Sequence, residues 1–141
     1  MTSLDPAYRL VAGTPSIEDY MILRERSGLT PKNLAQASAA LPGSWRACHV
    51  VHLESGRTVG MGRVLGDGGW YFLIADMAVL PEHQRRGLGA AVLEALLAEI
   101  REGAPPGAWV TLMADPPGRR LYEQFGFRET APDSLGMAQI V

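Results

Sequence analysis

The sequence contains a single cysteine, Cys48, and lacks any long apolar run. One cysteine excludes an internal disulfide and fits a reducing compartment. The longest apolar stretch, in residues 87–100, is interrupted by Glu94 and Glu99 and falls well short of the ~20 residues that a membrane span needs. The apolar residues 8–12 are too few for a signal peptide. These absences predict a cytoplasmic protein with no membrane partner.

An excess of charge of either sign is also missing. The 13 basic residues nearly balance the 15 acidic ones, which excludes a general affinity for nucleic acid. A chain of 141 residues is one domain's length and buries roughly two thirds of its unfolded surface on folding. It needs no disulfide or metal to fold. We therefore expect one domain over residues 1–141, with any basic site confined to a local patch.

The order of predicted elements indicates a mixed fold. Helices are expected over residues 16–26 with Ser16 as N-cap, over 31–41 with Pro31 in the first turn, from about 87, and over about 118–125 before Gly126. Alternating or apolar runs predict strands at residues 8–12, 45–53, 58–65, 70–79, 109–113, 127–130 and 137–141. This order predicts an α/β (α+β) single domain with a partly antiparallel central sheet flanked by helices.

Arginines stand where the third helix begins, in the segment Gln84-Arg85-Arg86-Gly87-Leu88-Gly89-Ala90. The positive end of a helix dipole disfavours cations, but a bound phosphate between them would make the arrangement favourable. Glycines let main-chain N–H groups approach such an anion. A second pair, Arg119 and Arg120, opens the fourth helix, which suggests a ligand with several phosphates. The alternative is that these arginines are only solvated loop residues.

Three motifs follow one another: "DMAVLPEH" at a strand end, "QRRGLGA" at the loop and "RRLYEQFGF" in the fourth helix. Together they resemble the GNAT superfamily of acetyl-coenzyme A dependent N-acetyltransferases, whose pyrophosphate loop reads Gln/Arg-x-x-Gly-x-Gly/Ala and whose helix carries Leu-Tyr-Glu-x-x-Gly-Phe. The resemblance covers residues 59–127. It implies a GNAT-like fold and an acyltransferase that uses acetyl-CoA.

The resemblance also implies roles for particular residues. Tyr122 matches the tyrosine that protonates the departing thiolate, although a packed aromatic of the helix is the alternative. The sequence departs from the family at Asp115 and Gly118, where Asn and Ala are frequent, so Asp115 is given no coenzyme contact. The pantetheine arm would bond to a strand and the pyrophosphate to the loop, which assigns coenzyme binding to Met77, Ala78, Val79, Gln84, Arg85, Arg86, Gly87, Leu88, Gly89 and Ala90.

Direct acetyl transfer needs a neutral amine, whereas a free alkylammonium has a pKa of about 10.4. A carboxylate can take its proton directly or through a water. Asp76 is the candidate base because it is a lone carboxylate inside an apolar strand. A hydrogen-bonded structural aspartate is the alternative, and the residue pattern does not decide between the two.

The turn "GDGG" predicts the register of a hairpin, and with it an acceptor site. A two- or four-residue loop pairs Leu65 with Trp70 and Arg63 with Phe72, which puts Arg63 and Asp76 on one apolar face. On this register Asp76 lies about 13 Å from the residue facing Arg63, so a direct ion pair is the harder arrangement. We therefore expect Arg63 to bind the carboxylate of an amino-acid-like acceptor. A three-residue loop would break this deduction.

Cys48, His49 and His52 do not form a metal site in this interpretation. On a strand, Cys48 and His52 share a face but lie about 13 Å apart, while His49 points the other way. No metal is expected.

The sequence thus predicts transfer of an acetyl group from acetyl-CoA to a primary amine of a small metabolite. Acetylation of a protein N-terminus or lysine is the alternative reaction, and a non-catalytic acyl-CoA sensor is the alternative class. The absence of an acidic run disfavours a basic protein tail as acceptor. A homodimer is left open, since dimers are common among such folds.

Overall fold

The computed structural model describes residues 3–141, which build five strands and four helices. The helices are α1 (Ile17–Arg26), α2 (Leu34–Ala40), α3 (Leu88–Gly103) and α4 (Arg119–Gln124). The strands are β1 (Tyr8–Ala12), β2 (Arg46–His52), β3 (Thr58–Gly66), β4 (Tyr71–Val79) and β5 (Trp109–Leu112). None of the helices in the described residues is both long and apolar enough to cross a bilayer.

The strands form one sheet in the order β1-β2-β3-β4-β5. The first three pairings are antiparallel and the β4–β5 pairing is parallel, because α3 carries the chain back between those two strands. The mixed, partly antiparallel sheet with flanking helices confirms the predicted fold class.

The helix α3 packs closely on one face of the sheet because Gly62 of β3 has no side chain. A Cβ at Gly62 would lie 2.7 Å from Val92 Cγ1 and 3.0 Å from Leu96 Cδ1. The helix α1 packs on the opposite face, where its Tyr20 and Leu23 are buried. Burying these two faces of the sheet forms the core.

Local capping sets where the first two helices begin. Ser16 caps α1 and accepts a hydrogen bond from the Asp19 main chain, as the sequence predicts. The second helix begins later than predicted, at Leu34, because Asn33 and Gln36 form a reciprocal capping box. Pro31 therefore lies before the helix, which corrects its placement in the first turn.

The hairpin register differs from the prediction. Leu65 pairs with Leu73 and Arg63 with Ala75, because the turn holds three residues between Asp67 and Tyr71. The Asp67 carboxylate favours this turn by accepting hydrogen bonds from the main chains of Gly69, Trp70 and Tyr71. The predicted pairing of Leu65 with Trp70 is therefore wrong, because the loop has three residues and that pairing required two or four.

The two predicted closing strands do not form in the described chain. Residues 127–130 and 137–141 have no strand partner, and β5 is the last strand of the sheet. Met137, Ile140 and Val141 are exposed instead. A period-two pattern predicts an extended segment, but pairing also requires a second strand within reach.

Candidate active site

A wedge opens in the sheet where β4 and β5 separate. The two strands pair only over residues 71–74 of β4 and 109–112 of β5. From Ala75 to Val79, β4 continues along β3 and has no partner strand on its other side within residues 3–141. Met77, Ala78 and Val79 lie on this stretch, so an extended ligand can pair with their main chain as a further strand would.

The loop of residues 84–90, which follows β4 and leads into α3, contains two residues with positive φ angles. Arg85 has φ 63° and Gly87 has φ 77°, and Gly87 is the N-cap of α3. A Cβ at Gly87 would have no neighbouring atom within 4 Å, and the first turn of α3 that follows has N–H groups without intrahelical partners. Neither Arg85 nor Arg86 has a carboxylate within ion-pair distance among the described residues. The loop therefore offers N–H donors and two free cations to an anion.

The three consecutive residues that lead into the loop form side-chain hydrogen bonds to three elements, α1, β1 and β4. Glu82 accepts a hydrogen bond of 2.8 Å from Arg26 of α1. His83 Nδ1 lies 2.8 Å from the hydroxyl of buried Tyr8 of β1. Gln84 donates its side-chain amide to the Val79 carbonyl at 3.0 Å. These bonds hold the loop in place before any ligand arrives.

The electrostatics around His83 favour its neutral form. Burial lowers its pKa, and the nearby His52 ring adds to the effect; the Glu82 charge opposes it, and Arg86 and Arg57 lower the pKa further. The His52 and His83 ring centroids are 4.9 Å apart. A neutral His83 with its proton on Nε2 accepts a hydrogen bond from the Tyr8 hydroxyl at Nδ1.

Tyr122 lies on α4, which packs against the start of α3. A Cβ at Gly89 would lie 3.3 Å from Leu121 Cδ2, so the glycine allows the two helices to approach. The Tyr122 ring is partly buried and contacts the Phe127 ring edge-on. Burial raises the pKa of Tyr122, and the negative charge of Asp115 raises it further. The phenol is therefore protonated at neutral pH and can act as a proton donor.

The second arginine pair differs from the first. Arg119 donates from Nε to the Ala114 carbonyl at 3.0 Å, and both Arg119 and Arg120 are exposed. The Nε–H group of Arg119 is therefore already bonded to the main chain just before α4. Both remain predicted candidates for outer phosphate contacts.

Asp76 sits in a β-bulge, where Gly62 of β3 faces two residues of β4. Its φ is 57°, a left-handed conformation that aspartate tolerates better than most residues. The bulge turns the carboxylate toward α1. There it accepts hydrogen bonds from Tyr20 at 2.5 Å, Arg24 at 2.6 Å and Arg63 at 2.6 Å.

This environment makes Asp76 a weak base. Burial raises its pKa, but the hydrogen bonds from Tyr20 and Arg63 and the charges of Arg63 and Arg24 outweigh burial and hold the pKa below its usual value. The side chains of Arg24, Arg63 and Asp76 are only 9%, 13% and 12% exposed. Asp76 therefore has the geometry of the structural alternative named from the sequence.

The Arg63–Asp76 ion pair corrects the expectation that a direct pair is the harder arrangement. Arg63 also points Nη1 toward the Ala40 carbonyl and the Ser44 hydroxyl, at 3.3 and 3.4 Å. The strand register differs from the predicted one, but the bulge turns the Asp76 side chain to the face of the sheet that carries Arg63. The two charged groups therefore meet. Arg63 is thus occupied by protein groups.

Tyr20 and Arg24 were missed by the sequence interpretation. They are four residues apart, so they lie on one face of α1, and this spacing is the only local signal. Arg24 also donates to the Thr30 carbonyl from Nε and Nη2. Their carboxylate partner lies more than 50 residues away, beyond the reach of a local pattern.

The structure separates Cys48, His49 and His52, as the strand geometry predicts. Burial raises the pKa of Cys48 to about 12, so the thiol stays protonated. His49 bonds to the Gly13 carbonyl and His52 to the Ser55 hydroxyl. Within the described residues no group of three or more His, Cys, Asp or Glu side chains is placed to hold a metal ion.

Comparison with known proteins gives this geometry a family. A protein from methicillin-resistant Staphylococcus aureus, described as a probable acetyltransferase of unknown function, superposes with a TM-score of 0.89 at 36% identity, covering 95% of this chain and 99% of that one. The chloroplastic serotonin N-acetyltransferase 2 of Oryza sativa is 36% identical over 86 residues, or 60% of this chain and 42% of its own length.

A third relative, the histone acetyltransferase TAP1 of Glycine max, is 27% identical over 87% of this chain and 56% of its own length. The chain thus spans about half the length of the curated relatives it matches. The family model described as the acetyltransferase (GNAT) domain matches residues 44–129, more than half of the chain. The chain therefore belongs to the GNAT acetyltransferase family.

Proposed function

We propose that the chain transfers an acetyl group from acetyl-CoA to the primary amine of a small acceptor. The observation that carries this proposal is the wedge beside β4 together with the loop of residues 84–90. The wedge leaves one edge of β4 unpaired, and an extended arm would pair there with the main chain of Met77, Ala78 and Val79. The loop has free cations and helix N–H groups for a pyrophosphate. One ligand with both parts, a pantetheine arm and a pyrophosphate, fits both features.

In the proposed reaction, the acceptor nitrogen attacks the thioester carbonyl and a C–N bond forms. Main-chain N–H groups at the wedge stabilise the negative charge on the carbonyl oxygen. The C–S bond then breaks, and the departing thiolate takes the hydroxyl proton of Tyr122. The surplus proton of the acceptor nitrogen passes to water, since Asp76 is already bonded to three donors. Tyr122 regains its proton from solvent.

The pairing of Arg63 with Asp76 limits which small amines we propose as acceptors. The amino-acid-like acceptor rested on a free Arg63, whereas Arg63 is paired with Asp76. We therefore propose a small amine without a carboxylate at that position. A protein N-terminus or lysine remains the alternative acceptor.

Calorimetry with acetyl-CoA tests the first step. Binding is expected, and Gly87→Val should weaken it, because a β-branched residue is strained at φ 77°. Absence of binding of both acetyl-CoA and coenzyme A at millimolar concentration would refute the coenzyme site.

Release of free coenzyme A thiol over a panel of amines tests the second step. Tyr122→Phe should lower turnover by roughly 10²–10⁴-fold while coenzyme affinity stays nearly unchanged. Tight coenzyme binding without thiol release from any amine or peptide would favour the acyl-CoA sensor. Unchanged turnover in the variant, with chemistry rate-limiting, would return Tyr122 to a packing role.

A further inference from the structure

Asp76 has a left-handed backbone conformation that most residues avoid. Its φ is 57°, and the other non-glycine residue with a positive φ among residues 3–141 is Arg85. These two residues lie on either side of the stretch Met77–Val79, to which the coenzyme is proposed to bind. A non-glycine residue keeps such a conformation only where its surroundings favour it, and such positions cluster at functional sites.

The bulge at Asp76 sets the direction of the main-chain groups that follow it in β4. Gly62 of β3 faces both Asp76 and Met77. Asp76 turns toward α1, whereas Met77 lies on the α3 face, since a Cβ at Gly62 would be 2.7 Å from both Met77 Sδ and Val92 Cγ1. Successive main-chain groups of a strand point to alternate edges, so one extra residue inverts the alternation beyond it. Without the bulge, the groups of residues 77–79 that face the wedge would face β3.

The Asp76 side chain stabilises the bulged conformation. Its carboxylate accepts hydrogen bonds from Tyr20 and Arg24 of α1 and from Arg63 of β3. Arg24 is itself fixed, because its Nε and Nη2 donate to the Thr30 carbonyl at 2.9 and 2.7 Å. In a regular strand the carboxylate would turn to the α3 face, away from all three donors. These hydrogen bonds therefore favour the bulge over the regular strand.

We propose that Tyr20, Arg24 and Arg63 are positioning residues for the coenzyme, which act through Asp76 by holding the bulge that presents the main chain of residues 77–79 to the pantetheine arm. This inference rests on the proposed coenzyme site. If only the bulged form binds the arm, the apparent dissociation constant rises as the fraction of molecules with the bulge falls. A general base would affect turnover instead, and a purely structural cluster would affect stability alone.

The variants Asp76→Gly and Asp76→Ala provide the central test. Both remove the same carboxylate, but only glycine adopts a φ of 57° at little cost. Calorimetry should therefore give Asp76→Ala a coenzyme A dissociation constant at least about fivefold above that of Asp76→Gly. Turnover at saturating acetyl-CoA should be nearly equal in the two variants, at a temperature where urea denaturation shows both to be folded. Equal dissociation constants would overturn the proposal.

Tyr20→Phe is a milder test, because it removes one hydrogen bond and keeps the buried ring. The coenzyme A dissociation constant should rise about two- to tenfold, with turnover nearly unchanged. Tyr71→Phe removes a tyrosine hydroxyl from the other end of β4, where Tyr71 is exposed, and is the matched control that should keep wild-type affinity. The proposal is overturned if Tyr20→Phe lowers stability at unchanged affinity, or if it lowers turnover alone.

Amide hydrogen exchange in the free protein separates this inference from the proposed function. Amides of residues 76–79 that are protected in the wild type should exchange at least about fivefold faster in Asp76→Ala than in Asp76→Gly, because the bulge opens more often. A wild-type protein that binds no coenzyme refutes the proposed coenzyme site. In that case the exchange difference still supports the hold of the cluster on the bulge, and equal exchange rates overturn it.

Discussion

Two sets of arginines in this protein have opposite surroundings. Arg24 and Arg63 are nearly buried and share the Asp76 carboxylate at 2.6 Å each. Arg85 and Arg86 are exposed on the loop before α3 and have no carboxylate partner in the described chain. The first set neutralises a charge that the protein itself supplies. The second set has no such partner, and we propose that its charge meets the pyrophosphate of a ligand. Residue type alone therefore does not separate a structural arginine from a candidate binding one.

Removing the shared carboxylate should produce the largest effect. Asp76→Ala leaves two buried guanidinium groups without their anion, and breaking such a buried pair costs about 3–5 kcal/mol of unfolding free energy. Urea denaturation measures this loss. Glu99→Gln is the control, because Glu99 pairs with Arg46 at the surface and should contribute at most about 1 kcal/mol. Equal effects of the two variants would contradict the assigned role of Asp76.

Acid should remove part of the same stabilisation. The pKa of Asp76 is lowered in the folded protein, so its contribution is fully present above the unfolded-state value of about 3.9 and is lost as the pH falls through the folded value. The difference in unfolding free energy between the wild type and Asp76→Asn should therefore stay constant near neutral pH and narrow only in strong acid. A rise in wild-type stability relative to Asp76→Asn as the pH falls through about 6 would instead mean a raised pKa, which a general base at neutral pH requires.

Neutralising the loop arginines should weaken ligand binding and spare the fold. Charge-assisted hydrogen bonds contribute about 1.5–3 kcal/mol, so Arg85→Ala with Arg86→Ala should raise the acetyl-CoA dissociation constant at least about tenfold. Calorimetry measures the affinity and urea denaturation the stability. A double variant that loses stability but keeps its affinity for acetyl-CoA would contradict the proposed binding role of these two arginines.

The smallest effect is expected from the bond between Tyr8 and His83. Tyr8→Phe removes the hydroxyl and keeps the buried ring, and a neutral hydrogen bond contributes about 0.5–1.5 kcal/mol. Because this bond positions the loop, the Michaelis constant for acetyl-CoA should rise about two- to tenfold while turnover stays nearly constant. A fall in turnover at unchanged Michaelis constant would place the effect in the chemical step.

Much of the fold follows from local sequence patterns. The caps at Ser16 and Gly87 and the turn at Gly126 appear where the residue types predict them. The five strands of the sheet follow from alternating apolar runs. These signals work because capping, turn geometry and burial of one face act within a few residues. Gly62 even shows which face of β3 a helix covers.

The incorrect predictions of local structure share a cause, which is a contact that the residue pattern does not show. The hairpin register depended on whether the turn holds two, three or four residues, and the Asp67 side chain selected three. The second helix moved because Asn33 and Gln36 cap each other. The segment of residues 137–141 has the pattern of a strand but no strand partner among residues 3–141. In the first two cases one added contact outweighs a weak intrinsic preference, and in the third the strand preference has no partner to pair with.

The sequence by itself determined the element order from β1 to α4, the glycine–arginine loop before α3 and the motif that includes Tyr122, because each is carried by neighbouring residues. Only the tertiary structure decided that Asp76 is bonded to Tyr20, Arg24 and Arg63. These bonds form only because three non-local features occur together. They are the bulge that places Asp76 at φ 57°, the register between β3 and β4, and the packing of α1 on the sheet. The partners of a buried charge are set by such non-local geometry, which is why the residue pattern alone did not decide between a base and a hydrogen-bonded structural aspartate at Asp76.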